Sequence, residues 1–321
     1  MRNEDLSFVA KIASAVREEV HKVIVGMDYV IDAVLTAVLS EGHIMVEGPP
    51  GLAKTYLVKA FSNSLDLDFK RIQFTSDMLP SDIIGSMIYS TRTGAFEFRK
   101  GPIFANIVLA DEINRAPPRS QSALLEAMQE KQVTVEGVRH PLPSPFMVVA
   151  TQNPVELEGT YPLPEAELDR FMMRVYVEPP SVPEELGILE MKNVYGEEMR
   201  AVKVTGREEV LKAIEAVKDV YVDRSIMEYM VKIIGATRSD PRLILGGSPR
   251  ATVFLMYASK AMAALEGKGY VTPDHVKVVA LQVLNHRLII KPEAQAPSPL
   301  YAYKTAEHVV RDILAKVEAP R

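Results

Sequence analysis

Gly48-Pro49-Pro50-Gly51-Leu52-Ala53-Lys54-Thr55 follows the short extended run His43 to Glu47 and opens a helical stretch. Residues of these types in that position make a cradle for phosphate. Backbone N–H groups of the loop and the N-terminus of the following helix face the anion, and Lys54 carries a full positive charge toward the β- and γ-phosphates. Thr55 offers a hydroxyl to Mg²⁺. Ala53 stands where the usual pattern has its last glycine. Its methyl group is tolerable if the residue takes helical φ/ψ in the first turn of the helix.

Downstream, Ile107-Val108-Leu109-Ala110 is an apolar strand ending in Asp111 and Glu112. A carboxylate at the end of such a strand can hold the Mg²⁺ shell, the role read for Asp111. Its neighbour Glu112 can polarise an attacking water. A further strand, Met147 to Ala150, runs into Thr151-Gln152-Asn153. Asn153 would orient water against the γ-phosphate with a neutral amide, although an Asn before Pro154 is also an ordinary turn former. The pattern therefore predicts Mg-dependent ATP hydrolysis. No Asn-Lys-x-Asp guanine-reading motif is present, which argues against a GTP switch.

These residues need strands to end at them. Strand-like runs at 43–47, 70–74, 106–110, 146–150 and 172–177 alternate with helical segments, which implies a mostly parallel sheet covered on both faces. Two helices precede the first strand; Leu6, Val9, Ala13, Val16, Val20 and Val23 set the period of the first, with Asn3 as its expected cap. Pro179-Pro180-Ser181-Val182-Pro183 ends the alternation, and helices follow at 184–195, 206–218, 224–237, 249–266, 273–288 and 303–317. Ser248-Pro249 and Thr272-Pro273 each place a capping hydroxyl before a proline at the first helical position. The expected division is 1–180 for an α/β core and 181–321 for a smaller helical domain. Alternation around a glycine turn also predicts two β-hairpins, near 86–98 and 132–142.

The chain has 321 residues, 37 basic and 42 acidic side chains, six histidines and no cysteine. Disulfides, thiolate metal sites and cysteine nucleophiles are excluded. The longest apolar stretch, Val23 to Leu39, is interrupted by Asp28 and Asp32, so no membrane span is expected. The N-terminus does not open a signal peptide. A formal charge of −5 argues against nucleic acid as an obligatory partner. These features predict a soluble, cytoplasmic protein.

The motifs in this order resemble the MoxR family of AAA+ ATPases, in the clade that also contains the magnesium-chelatase motor subunit. Beside the phosphate loop, the matching stretches are Thr75 to Gly85, Ala110 to Pro118, Gln121 to Glu130 and Ala150 to Pro154. Glu165-Ala166-Glu167-Leu168-Asp169-Arg170-Phe171 and Gly246-Gly247-Ser248-Pro249-Arg250 complete the set. Ala53 is like this family. Met27 stands where relatives commonly carry glutamine, which leaves the adenine contacts around Val25–Met27 unassigned. The resemblance implies a P-loop AAA+ core, a helical lid, nucleotide between them, and a homo-oligomeric ring that is commonly hexameric. It makes Asn153 like the first sensor, Arg170 like an arginine finger and Arg250 like the second sensor. It also implies hairpins that project toward the pore and a protein client. The work would be chaperone-like remodelling or maturation of protein complexes, with a von Willebrand factor A domain protein as a partner in trans. A helicase-type nucleic-acid motor is the alternative use of the same architecture.

Independently of the resemblance, Arg250 falls in the first turn of a helix, where its charge opposes the helix dipole. An anion facing it would account for that position.

Overall fold

A computed structural model describes residues 6–153, 159–196, 199–292 and 299–320. Two helices, α1 (Ser7–His21) and α2 (Asp28–Leu39), precede β1 (Ile44–Glu47). The alternation then continues through α3 (Lys54–Ser64), β2 (Phe69–Gln73), the short α4 (Pro80–Ile84) and a hairpin of β3 (Gly85–Ser90) and β4 (Ala95–Lys100). β5 (Ile107–Asp111), α5 (Pro118–Glu130), a second hairpin of β6 (Gln132–Val135) and β7 (Val138–Pro141), and β8 (Met147–Gln152) follow. After the single-turn α6 (Glu165–Leu168), β9 (Met173–Tyr176) closes the sheet. Asn3 lies outside the described residues; the residue before α1 is Leu6, which makes no side-chain cap.

The five long-range strands pair in parallel in the order β2-β5-β8-β1-β9. The three inner strands are buried almost throughout, and their side chains divide by alternation between the two faces. Ile44, Val46, Ile107, Leu109, Met147 and Val149 join the apolar cluster formed with α1, α2 and the C-terminal helices. Met45, Val108, Ala110, Val148 and Ala150 join a second cluster with Phe74, Leu124, Leu125 and Phe171.

Register decides which residues meet. Gln73 lies opposite Asp111, Ala110 opposite Ala150, and Glu47 opposite Gln152. The phosphate loop, the two carboxylates and Asn153 therefore leave the sheet along one edge, the carboxyl ends of the strands. In β9, Met173 lies opposite Ile44, and the Met172 amide donates to the His43 carbonyl at 2.8 Å. Residues 169–172 thus approach at the opposite, amino edge.

Past Pro179 the chain forms α7 (Val182–Tyr195), α8 (Arg207–Lys218), α9 (Arg224–Ser239), a short β10 (Leu243–Leu245), α10 (Pro249–Leu265), α11 (Pro273–Leu284), β11 (Ile289–Ile290) and α12 (Pro299–Lys316). α10 packs on α11, α9, α2 and α1, so helices on both sides of residue 180 share one apolar core. The antiparallel β10–β11 ribbon was missed because strands of two or three residues carry no readable alternation. It also ends the helix expected to reach residue 288. The Ser248 hydroxyl caps α10 by accepting from the Ala251 amide at 3.3 Å. Thr272 differs: its hydroxyl makes no cap bond, and its amide donates instead to His275 Nδ1 at 3.0 Å.

β3 pairs antiparallel with β4, and β6 with β7. Glu136 and Gly137 have φ of 48° and 76° at the turn of the second, the two left-handed positions that a tight hairpin favours. The hairpins touch: Phe98 of β4 stacks on His140 of β7 with ring centroids 4.1 Å apart.

Candidate active site

Two positions in the loop need glycine. Gly51 has φ of 83°, and a Cβ on Gly48 would stand 2.7 Å from the Val177 carbonyl oxygen. Ala53 departs from expectation. It has φ 52° and ψ 19°, a left-handed residue at the N-cap of α3 rather than a helical one. The last step of the loop still needs the turn that glycine supplies elsewhere, and here an alanine makes it against the steric preference of its Cβ.

Lys54 folds back along the loop and donates from Nζ to the carbonyls of Gly48 at 2.5 Å and Pro49 at 3.2 Å. Burial pulls its pKa below the usual lysine value, while the charges of Asp111, Glu112 and Glu47 oppose that shift. Thr55 Oγ1 donates to Asp111 Oδ2 at 3.4 Å. The other Asp111 oxygen accepts from Thr151 Oγ1 at 2.5 Å. That same threonine oxygen accepts the Glu112 amide at 2.9 Å, so β8 positions both acids at the end of β5. Glu112 sits at φ 57° and ψ 50° just past the strand. Its Oε2 accepts from Gln73 Nε2 at 2.8 Å and pairs with Arg115 Nε at 3.1 Å. Asn153 is buried and lines the same cavity as Lys54, Thr55, Asp111 and Glu112, a space of about 500 Å³.

Ala53 and Tyr56 also line a second, more apolar cavity of about 290 Å³, with Val25, Met27, Met191 and Lys192 among its walls. The Lys192 ammonium stands 5.7 Å from the centre of the Tyr56 ring. The stretch Val25–Met27, unassigned from sequence, thus borders the phosphate cradle.

The donor set suits Mg²⁺. One hydroxyl and one carboxylate oxygen converge, and no group of three or more His, Cys, Asp or Glu able to cage a metal occurs among the described residues. Mg²⁺ is typically held by one or two carboxylates, substrate phosphates and water rather than by an all-protein shell.

Arg170 and Arg250 are elsewhere. Arg250 NH1 stands 3.7 Å from Asp169 Oδ2, and the Ser248 hydroxyl donates to the same carboxylate at 3.2 Å. Arg287, almost fully buried, donates from Nε to Asp169 Oδ1 at 2.7 Å. Burial lowers its pKa to about 10 against the opposing pull of Asp169. The anion that faces Arg250 across the helix dipole is therefore Asp169, at the amino edge of the sheet. The side chain of Arg170, the next residue, makes no hydrogen bond or ion pair among the described residues. A second sensor closing over the nucleotide of its own chain is not what this packing gives: both arginines lie across the sheet from the phosphate loop.

Sequence reasoning missed Arg71, Gln73 and Thr151. The available signal was the alternation of polar residues on Arg71-Ile72-Gln73 beside an acidic strand end. It became readable only once β2 was known to pair with β5.

A parallel sheet with this loop, these carboxylates at neighbouring strand ends and a helical region behind it defines the AAA class of phosphate-loop ATPases. Residues 43–173 match the family described as "ATPase family associated with various cellular activities (AAA)", and residues 235–313 match the AAA lid domain. The chain is 45% identical to the uncharacterized protein YeaC of Bacillus subtilis (strain 168), over 94% of this chain and 93% of that one. It is 40% identical to the chaperone MoxR1 of Mycobacterium tuberculosis, over 94% and 81% respectively. A crystal structure from Cytophaga hutchinsonii, assigned provisionally to the ATPases, superposes with a TM-score of 0.89 at 40% identity, covering 98% of this chain and 97% of that one. The chain belongs to the MoxR family of AAA+ ATPases. Among the described residues, no helix is long and apolar enough to cross a membrane.

Proposed function

We propose that this protein hydrolyses ATP with Mg²⁺ in a ring of identical chains, with residues 1–180 as core and 181–321 as lid, and uses the cycle to remodel a protein client. The observation that supports this reading is the position of the motif residues at two edges of the sheet. Lys54, Thr55, Asp111, Glu112 and Asn153 converge at the carboxyl edge, while Arg170 precedes β9 at the amino edge and Arg250 stands there against Asp169. A head-to-tail neighbour brings the two edges together, as heterologous interfaces do when they close into rings.

Lys54 leaves the loop carbonyls for the phosphates, and the backbone of residues 48–53 surrounds the β-phosphate. The apolar cavity beside Tyr56 takes the base. Thr55 and Asp111 hold Mg²⁺, which neutralises phosphate charge when bound. Glu112, released from Gln73 and Arg115, accepts a proton from the attacking water, and the Asn153 amide fixes that water in line. A neighbour's Arg170 and Arg250 stabilise the charge that develops on the γ-phosphate. The relative named a chaperone supports a protein client; a von Willebrand factor A domain protein acting in trans is part of the same proposal.

Paired variants test the chemistry. Lys54→Ala should lose ATP affinity by about 10- to 150-fold, as expected for one charge-assisted contact. Glu112→Gln should keep affinity and lose hydrolysis, because an amide cannot take the water's proton. Titration calorimetry with a phosphate-release assay reads both, and equal loss of binding in the two variants would remove Glu112 from its role. Client capture by the Glu112→Gln form loaded with ATP, absent with Lys54→Ala, tests the remodelling step.

A further inference from the structure

The oxygen of Asp111 that faces Thr55 is already covered. Arg71, on the edge strand β2, donates from Nε to Asp111 Oδ2 at 2.9 Å and places NH2 2.7 Å from the same oxygen. Its NH2 also donates to Gln73 Oε1 at 2.5 Å, and Gln73 Nε2 donates in turn to Glu112. A continuous chain of bonds thus runs from the cation-holding carboxylate, through two side chains of one strand, to the general base.

We propose that Arg71, anchored by Gln73, is a resident counter-ion that competes with the divalent cation for Asp111. The proposal rests on the nucleotide reading of the site. Three observations favour it over a plain structural ion pair. The guanidinium occupies the Asp111 oxygen nearest Thr55, while the other oxygen is taken by Thr151. The Arg71 side chain is 49% exposed whereas that of Asp111 is 12% exposed, so the cation can move into water while the carboxylate stays fixed. Gln73 is oriented by Arg71: its oxygen faces the guanidinium and its amide faces Glu112. Arg71 is a positioning residue in this scheme, since it reaches the cation site only through Asp111.

The test uses the metal alone. Mn²⁺ is titrated into the nucleotide-free protein and followed by electron paramagnetic resonance. Arg71→Met keeps much of the apolar stem and removes the charge; it should bind Mn²⁺ about tenfold more tightly than the parent, the scale of one partly exposed charge-assisted bond. Gln73→Ala keeps the charge but removes the anchor and should shift affinity in the same direction by less. Lys59→Met removes a cation lining the same cavity and controls for through-space charge. Unchanged Mn²⁺ affinity in Arg71→Met, or an equal gain in Lys59→Met, would overturn the proposal. ATP binding in EDTA separates this from the parent reading. A parent chain that fails to bind ATP with or without Mg²⁺ overturns the nucleotide site itself. Normal ATP binding with no Mn²⁺ effect overturns only the role of Arg71.

Discussion

Arg250→Ala distinguishes a site completed within one chain from a site completed by a neighbour. The guanidinium stands beside Asp169, ahead of the first residue of β9, whose register places it at the start of β1. β1 holds four residues, about 13 Å at roughly 3.3 Å each, and the phosphate loop begins only beyond its far end. An arginine side chain does not span that gap. The dilute, unassembled variant should therefore bind ATP within about twofold of the parent, as for substitutions at distant sites. Under conditions where chains assemble, losing a guanidinium that stabilises the transition state should slow hydrolysis by about 10³ or more. Mixing supplies the decisive magnitude. In a random one-to-one assembly of Arg250→Ala with Lys54→Ala, an intact Lys54 meets an intact Arg250 across about one interface in four. Two inactive proteins should then recover up to about a quarter of the parental rate if neighbouring sites fire independently. Phosphate release measured across a series of mixing ratios reads this, once exchange of differently tagged chains is demonstrated. Weakened ATP binding by the dilute variant, or a flat mixing curve after exchange, would refute the placement of Arg250 in trans.

Other expectations follow from backbone and burial. Ala53→Gly should stabilise the fold by about 0.5–1 kcal/mol, because relief of a left-handed Cβ clash, about 1–2 kcal/mol, outweighs the extra freedom of glycine in the unfolded chain; a lower urea midpoint would contradict the left-handed geometry. His43 is fully buried; its Nε2 reaches the Met128 carbonyl at 3.1 Å and its Nδ1 accepts the Val148 amide at 3.0 Å, which fixes the neutral ring. Burial lowers its pKa from 6.5 to about 4. The unfolded chain therefore takes up the proton first as pH falls, and stability is full above about pH 6.5 and declines toward pH 4, by at most about 3 kcal/mol from this residue. Urea unfolding at pH 7 and pH 4.5 should show a steeper loss for the parent than for His43→Gln, and equal slopes would contradict this protonation state.

The arrangement of the loop and the two acids was legible because its signals are local. A loop between a strand and a helix, or two acids at the end of an apolar strand, carries its meaning within eight residues. Ala53 was misjudged on the assumption that the helix had already begun there, and backbone angles at a loop's last step are not encoded by residue type. Arg71 and Gln73 act across a strand pair, and sequence patterns do not reveal which strand lies beside which. Arg250 was recognisable by motif, but its place was set by Asp169, far away in the chain, and by how α10 packs on the core. The short β10–β11 ribbon lies below the length at which periodicity exists.

The stack between Phe98 and His140 has a mechanical consequence. Aromatic pairs of this kind are worth about 0.5–1.5 kcal/mol beyond the area they bury. At about 1 kcal/mol from the ring pairing alone, the joined arrangement outnumbers the separated one at least fivefold. At rest the two hairpins therefore travel mostly as a single arm, although the chain enters them from different helices, α4 and α5. A load applied to either tip parts them once it overcomes that energy and the burial of the two rings. The joint is a slip clutch: it transmits gentle displacement from one hairpin to the other and lets go under force, before any backbone hydrogen-bond ladder of either hairpin has to break.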